Sequence, residues 1–272
     1  MVLSQHIKSH QQSFVHKRLL SADFVPSAIL TGNHLILTPD IARKAREVGF
    51  PFNPNYKGEI TGFDLRNAKC SEEENCAIRI QKIDPKASLS EIFDIITHGK
   101  VLSFHLNPAV EGVYSHAAAR LVFLTRAAAE SFIGDADSNE GLQIRKQRID
   151  ALWNRDKVCP AETHYQKKSR VIRVKGPVDK LSVKMLDKFF KSKFAFQLVA
   201  SKEWIERDGY KVVEMSFSSI RAQSESAVKC FREFFGKIES EEWKVWYSRD
   251  PCSPVETSAY PQRNLRSLEN WR

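Results

Sequence analysis

Two arginines occupy the positions in this sequence where residue type and spacing suit ligand chemistry. Arg79 and Arg173 each stand second in a short alternating apolar segment, and 94 residues separate them. A guanidinium group donates several hydrogen bonds in one plane, so it can bind a phosphate at two points or stack on a flat ring. These positions are therefore candidates for binding an anionic or planar ligand.

Motifs for catalysis or cofactor binding are missing from the sequence. The 272 residues contain no phosphate loop, no dinucleotide-binding glycine fingerprint, no His-Glu-x-x-His motif and no cysteines in C-x-x-C spacing. The 11 glycines also make a glycine-rich nucleotide loop improbable. We expect no enzyme activity, no metal and no cofactor.

The composition favours certain partners and compartments. Residues 159–252 carry six of the nine net positive charges, and a basic balance favours polyanions such as nucleic acid, although it would serve solubility nearly as well. Five cysteines with scattered spacing indicate free thiols in a reducing compartment. We therefore expect the nucleus or cytoplasm, with a mitochondrial location as the alternative because residues 1–22 lack acidic side chains. No apolar run is long enough to cross a membrane.

A hydrophobic pattern repeats at a constant offset of 94 residues. Ile78–Ile80 returns as Ile172–Val174, and the helix and strand patterns that follow keep the same offset. Self-similarity that stays in register through different hydrophobic periods indicates a duplicated structural unit. The chain is therefore predicted to contain two copies of one domain.

The first copy is predicted to have the element order βαββαβ. A capping box at Ser88 and Glu91, in which the two side chains satisfy free backbone donors, begins its first helix. Gly99 stands where a helix C-cap favours positive φ. The second helix is predicted over Arg126–Ile133, where Gly134 follows. The strands, which alternate apolar and polar residues, are predicted over Ile78–Gln81, Leu102–Leu106, Ala117–Leu124 and Leu142–Ile149.

The second copy follows the same order. Its helices are predicted over Ser182–Lys191 and Ala222–Phe235, and Asp208-Gly209 marks a turn. Its strands are predicted over Val171–Lys175, Phe194–Leu198, Val213–Phe217 and Trp243–Tyr247. The pattern predicts an α+β fold with two ferredoxin-like βαββαβ domains, each a four-stranded antiparallel sheet with two helices on one face.

Two units of this length and pattern resemble tandem RNA recognition motifs (RRMs). The family's octapeptide and hexapeptide frames, on the third and first strands, fit His116–Phe123, Tyr210–Phe217, Ile78–Ile83 and Ile172–Pro177. The resemblance covers about residues 76–252. The junctions at residues 153–155 and 250–252 are similar to those of uncharacterised fungal proteins with two such motifs.

The resemblance implies RNA binding on the outer sheet faces, where family members carry exposed aromatic residues on which bases stack. The six implied positions hold other residues in this chain: Arg79, Ala118, Arg120, Arg173, Val212 and Glu214. Each missing ring removes roughly 1–3 kcal/mol of base stacking. We therefore expect contacts that are mainly electrostatic and of low sequence specificity.

The charges at these positions predict different behaviour in the two units. Arg79 should lie beside Arg120 on a neighbouring strand, and because like charges in that arrangement are unfavourable, an anion or planar base between them would relieve the repulsion. Arg173 should instead form a cross-strand ion pair with Glu214. The alternative for the arginines of the first unit is a solvated surface.

Further candidates lie on strand edges and between the units. Arg145, Lys146 and Arg148 could follow a phosphate backbone, or else keep a solvated edge from pairing with another strand. Trp246 should face outward as a stacking residue, unless the tail or the other domain covers it. The complete set of RNA-binding candidates is Arg79, Gln81, Arg120, Arg145, Lys146, Arg148, Lys167, Lys168, Arg170, Arg173, Lys175 and Trp246.

The predicted organisation has five parts. Residues 1–75 are expected to be largely flexible with a short helix near 38–49, and residues 253–272 to form a flexible tail. The domains and the linker are predicted at 76–153, 169–252 and 154–168. The leading hypothesis for function is a non-enzymatic binder of single-stranded RNA. The alternative is a protein-interaction module that has kept the fold, lost the aromatic platform and binds protein partners through its sheet faces.

Overall fold

The computed structural model describes residues 39–49, 62–235 and 243–254. Most of the predicted flexible N-terminal segment and most of the predicted tail lie outside these residues. The chain divides into two units, residues 1–70 and 71–272. The first unit contains helix α1 (Pro39–Val48), as predicted, and helix α2 (Gly62–Asn67), which was not predicted.

The second unit contains both repeats, and the first of them is a four-stranded antiparallel sheet in the order β2-β3-β1-β6. Two helices, α3 (Leu89–Asp94) and α4 (Arg126–Asp137), follow β1 and β3 in the chain. The strands are β1 (Ala77–Ile83), β2 (Val101–Asn107), β3 (Ala117–Phe123) and β6 (Asp150–Trp153). Apolar residues of both helices and of the inner strand faces form one core, which confirms the predicted fold class.

The fourth strand of this sheet lies later in the chain than predicted. Residues 142–149 instead form a small hairpin of β4 (Gln143–Ile144) and β5 (Gln147–Arg148). Arg145 and Lys146 have φ values of 53° and 65°, so they make the tight turn of this hairpin and cannot continue an extended strand. The alternating pattern was genuine, but it belongs to a hairpin.

Two glycines act differently from the prediction. Gly134 does not end the second helix, which continues to Asp137. Gly99 does not have positive φ; a Cβ at this position would stand 2.6 Å from Cβ of Ala128 in α4. The absence of a side chain at Gly99 therefore permits close packing against α4.

The second repeat has the equivalent sheet, in the order β10-β7-β9-β8. Apolar residues of helices α5 (Val183–Lys191) and α6 (Glu225–Phe235) pack with those of the strands to form its core. The strands are β7 (Val171–Gly176), β8 (Leu198–Ile205), β9 (Lys211–Phe217) and β10 (Lys244–Tyr247). Gly209, with a φ of 81°, lies in the turn between β8 and β9 as predicted.

Two boundaries in this domain differ from the prediction. The second strand begins at Leu198, because Phe194 and Phe196 come before it and pack against Phe190 of α5. The last helix begins at Glu225, because Ala222 has a φ of 63° within a wide helical turn, Ile220–Ser224, that precedes it.

The two domains contact each other directly. The backbone N–H of Phe104 in β2 donates to Oγ of Ser219 over 2.9 Å, and the site is buried. Cys252, after the last strand of the second domain, is a member of the first domain's core, and Val199 of β8 packs against it. The chain between the domains includes a short 3-10 helix, Thr163–Lys167.

Candidate functional site

A row of four residues crosses the outer face of the first sheet. Register pairs Arg120 with His105 on one side and with Arg79 on the other, and Arg79 with Leu152. The predicted adjacency of Arg79 and Arg120 is therefore present. Arg79 is exposed and, in the described part of the chain, has no hydrogen-bond or ion-pair partner. Leu152 is 51% exposed, so this row combines an open guanidinium with an accessible apolar side chain.

The other arginine of the row is held in place. Nη2 of Arg120 donates to the backbone oxygen of Asp156 over 3.1 Å, and its side chain is half-buried. Nearby, Gln81 is half-buried opposite Asp150, and Nζ of Lys82 lies 2.8 Å from the Asp150 carboxylate. Arg79 is thus the guanidinium of this row that is open to an incoming anion.

Of the three basic candidates at the small hairpin, two bind other residues of the first domain. Arg145 forms an ion pair with Glu91 at the start of α3, with Nε and Oε1 2.8 Å apart. Arg148 donates to the carbonyl oxygens of Ala136 and Ser138, over 2.9 Å and 2.7 Å, at the end of α4. Lys146 is exposed at the hairpin turn. Arg145 and Arg148 therefore have partners within their own domain, a carboxylate and the last carbonyl oxygens of a helix, which makes them poorer candidates for phosphate than Lys146.

Acidic conditions are expected to weaken the contacts of Glu91. Bonds from the backbone of Ser88 and from Arg145 and Oγ of Ser88 lower the pKa of Glu91 from 4.5 to about 2. A carboxyl whose pKa falls on folding contributes stability above its unfolded pKa, and this contribution is lost as the pH falls toward the folded value. We expect the stability advantage of the wild-type chain over Glu91→Gln, measured by urea unfolding, to shrink from about pH 5 to about pH 3. Glu233→Gln, which changes an exposed residue on α6, is the control, and its stability difference from the wild-type chain should change little over this pH range. A difference between the wild-type chain and Glu91→Gln that does not depend on pH would contradict the assignment.

The basic residues between the domains also differ in accessibility. Lys167 is exposed. Lys168 pairs with Glu225, and its Nζ lies 4.5 Å from the ring centroid of Tyr165. Arg170 is only 3% exposed and lies beside Asp250. A residue buried to that extent cannot contact RNA, so the prediction for Arg170 is wrong.

The central charges of the second sheet are paired within the sheet. Nε of Arg173 donates to Glu214 over 2.7 Å, as predicted, and Nζ of Lys202 lies 3.1 Å from the same carboxylate. Burial acts to raise the pKa of Glu214, but the bonds from these two cations outweigh it and lower the pKa. Lys175 pairs with Glu206 over 2.6 Å and also with Asp208. Arg173 and Lys175 are therefore poorer candidates for phosphate than Arg79.

Two tryptophans lie on the outer face of the second sheet. Trp246 pairs in register with Arg173 and is half-buried, whereas Trp243, Val245 and Tyr247 pack on the core, so Trp246 faces outward as predicted. Trp204 on β8 was not predicted. The sequence does contain an indication of it, because Trp204 lies two residues after Lys202, as residues on one face of a strand do. The predicted second strand ended at Leu198, however, so Trp204 was taken to lie in a loop.

The helices described include none with the length and apolar character that crossing a membrane requires.

Comparisons with known proteins found similar solved structures, while no family model and no curated protein matches the chain. RNA recognition domains 1 and 2 of Sex-lethal from Drosophila melanogaster are 13% identical, with a TM-score of 0.24, over 64% of this chain and 100% of that one. The first two RRM domains of the yeast poly(U)-binding protein Pub1 are 11% identical, with a TM-score of 0.26, over 64% and 99%. The C. elegans NONO-1 homodimer is 17% identical, with a TM-score of 0.23, over 65% of each chain. By its own strand order and helix placement, this chain contains two tandem βαββαβ domains of the ferredoxin-like fold.

Proposed function

We propose that this protein binds single-stranded RNA without catalysing a reaction, mainly by electrostatic contacts and with low sequence specificity. The observation that supports this most is the exposed guanidinium of Arg79 on the outer face of the first sheet, without a partner among the described residues. Arg120 lies directly beside it and adds positive charge. A bound phosphate would relieve the repulsion between the two groups.

The row suggests how an RNA strand would be held. Arg79 can bind a phosphate or stack on a base through its guanidinium plane, and the exposed Leu152 next to it offers apolar surface to a base. Contacts to phosphate fix the position of a strand but carry no sequence information. Contacts of a guanidinium with phosphate and with the flat face of a base do not depend on which base is present, which agrees with low specificity.

A protein-interaction module is the second candidate, and the pairing of two cations on the second sheet supports it. Arg173 and Lys175 are paired with carboxylates of their own sheet, which leaves less charge for phosphate. Trp204 and Trp246 are half-buried on the same face and could pack against a protein. Fold alone does not decide between these functions, because one fold supports many.

A reducing compartment, nucleus or cytoplasm, remains part of the proposal. It is consistent with the five cysteines, all of which are free thiols in the structure.

Arg79→Ala is expected to weaken RNA binding by the full chain about 5- to 30-fold, because a charge-assisted contact contributes about 1–2 kcal/mol. The probe is a fluorescein-labelled pool of random 12-nucleotide single-stranded RNA, and fluorescence anisotropy gives the affinity at several salt concentrations. The slope of log K against log salt should become shallower by about 0.7, the value for one phosphate contact on a single strand.

Lys184→Ala is the matched control, because Lys184 is an exposed cation on α5, behind the second sheet. It should leave both affinity and salt slope close to those of the wild-type chain. Absence of binding at low salt would rule out the RNA proposal. Equal binding by the wild-type chain and Arg79→Ala would remove the first sheet as the site.

A further inference from the structure

Trp204 occupies an unusual place on the second sheet. It stands on the edge strand β8, directly opposite Val212 of β9, on the outer face. Val212 is the second sheet's counterpart of Ala118, which is partly exposed on the first sheet. Val212 is fully buried although its side chain points away from the core, so neighbouring side chains must cover it.

The indole of Trp204, opposite Val212 in register, is placed to contribute to this cover. Cζ of Arg173 lies 5.3 Å from its ring centroid, although Arg173 is on β7, two strands away from β8. Because adjacent strands are about 4.8 Å apart, the indole and the Arg173 side chain, which also bonds to Glu214 of β9, reach toward each other over the outer face of β9. Lys175, the neighbour of Val212 on the other side, turns its ammonium group to Glu206 and Asp208.

The indole of Trp204 is therefore an aromatic ring close to Arg173 of β7, on a face where β7 and β9 present no outward aromatic residue of their own. We propose that the indole of Trp204 is a base-stacking site for single-stranded RNA, a proposal that rests on the RNA binding proposed above. Stacking on an aromatic ring is available to every base, because every base has a flat π-face. The site therefore adds affinity on the second sheet without adding sequence specificity.

The charges around the indole favour a nucleic acid over an apolar protein segment. Arg173 and Lys202, 5.3 Å and 5.8 Å from the ring centroid, share the carboxylate of Glu214, so one net positive charge lies beside the ring. A phosphate next to a stacked base would meet this charge.

The neighbouring groups limit the path that a bound RNA strand can take over the sheet. Lys175 with Glu206 and Asp208 carries one net negative charge at the hairpin turn, which disfavours phosphate there. Trp246 lies on the opposite edge strand, whose backbone is three strand spacings, about 14 Å, from that of β8. A strand of several nucleotides could stack one base on Trp204 and another on Trp246.

The test compares two dye-labelled probes on the full chain by fluorescence anisotropy: a 12-nucleotide oligouridine and an abasic oligonucleotide of the same length. Trp204→Leu is expected to weaken binding of oligouridine about 5- to 150-fold and to leave binding of the abasic probe and the salt slope unchanged. Trp204→Phe keeps a ring and should retain most of the affinity. Ile205→Ala, which truncates the exposed neighbour on the same strand, is the control and should bind as the wild-type chain does.

A spectroscopic readout separates stacking from a structural role. Oligouridine should quench indole fluorescence in the wild-type chain, and Trp204→Phe should lose part of this quenching while remaining folded. Equal oligouridine affinity in Trp204→Leu and the wild-type chain, with Arg79→Ala still weakened, would overturn this inference and leave the proposed function intact. Equal losses for both probes would also overturn it, because the indole would then only support the sheet. Failure of the wild-type chain to bind either probe would overturn both proposals and leave the indole as a surface for protein contact.

Discussion

Asp250→Ala is expected to lower the free energy of unfolding by about 3–5 kcal/mol, the cost of removing one partner from a buried ion pair. Oδ1 of Asp250 lies 3.0 Å from Nε of Arg170, and the two residues are 1% and 3% exposed. The site is shielded from bulk solvent, so a neutral water is a poor substitute for the lost carboxylate charge. The guanidinium would remain buried without a countercharge, and this accounts for most of the expected loss.

The pair lies where the two domains meet. Arg170 donates to the carbonyl oxygen of Phe217 over 3.2 Å and to Sγ of Cys252 over 3.3 Å, and its Cζ lies 4.5 Å from the ring centroid of Phe93 in α3. Burial raises the pKa of the Cys252 thiol to about 12, although Arg170 acts in the opposite direction. The thiol is therefore protonated and inaccessible while the junction is closed. Loss of Asp250 is expected to loosen the junction and expose it.

Two measurements check this expectation. Urea unfolding gives the free energy, and alkylation with iodoacetamide followed by peptide mass mapping reports whether Cys252 has become reactive. Asp187→Ala is the control, because it breaks an exposed 2.8 Å pair with Lys191 on α5 and should cost about 0.3–0.5 kcal/mol. A double change, Arg170→Met with Asp250→Leu, should recover most of the stability, since apolar residues of similar volume can replace a buried pair. A loss below about 1 kcal/mol with an unreactive Cys252 would contradict the assignment.

The contrast between Arg79 and Arg170 shows what the sequence could predict. The alternation of Ile78, Arg79 and Ile80 sets which side chain faces outward, because strand period is a local property. The repeated βαββαβ order then places Arg79 opposite Arg120 and Arg173 opposite Glu214, as the registers confirm. Periodicity and element order were therefore sufficient for the fold and for the central positions of both sheets.

Contacts between distant parts of the chain were not predictable in this way. Arg170 follows two lysines in a polar stretch, which reads as solvated, yet its partners Phe93 and Asp250 are 77 residues before it and 80 after it. The partners of Arg148 were not predictable for a similar reason, because its acceptors are carbonyl oxygens at the end of a helix. A sequence pattern shows that a side chain is charged but not whether the fold supplies a buried partner for it.

A misplaced strand boundary explains why Trp204 was not predicted. Phe194, Phe196 and Leu198 alternate as a strand would, but the first two rings pack against Phe190 before β8 begins. The strand that follows, over residues 198–205, is mostly exposed on both faces, so it has weak alternation to detect. Trp204 was consequently missed.

Asn75→Ala is expected to lower the free energy of unfolding by about 2–4 kcal/mol, because it leaves three backbone groups without their partner. Asn75 is fully buried. Its Oδ1 accepts from the N–H groups of Ala77 and Val158, over 2.9 Å and 3.1 Å, and its Nδ2 donates to the carbonyl oxygen of Asn154 over 3.0 Å. The side chain thus fastens the segment after β6 to the start of β1, and nothing in the local sequence indicates this.

The amide should also influence the candidate site, because residue 156, whose carbonyl oxygen accepts from Arg120, lies between two of its contacts, Asn154 and Val158. Urea unfolding of Asn75→Ala, Asn75→Asp and Asn139→Ala measures the effect. Asn75→Asp keeps the acceptor oxygen but loses the N–H donor, so it should lower the free energy of unfolding by less than Asn75→Ala does. Asn139→Ala is the control and should change it little, because Asn139 is exposed. If Asn75→Ala lowers the free energy of unfolding no more than Asn139→Ala does, water must reach these backbone groups. The position of Arg120 would then depend on other contacts. If the loss is as expected, the affinity of Asn75→Ala for RNA reports how far the fixed position of Arg120, in addition to the open guanidinium of Arg79, contributes to binding.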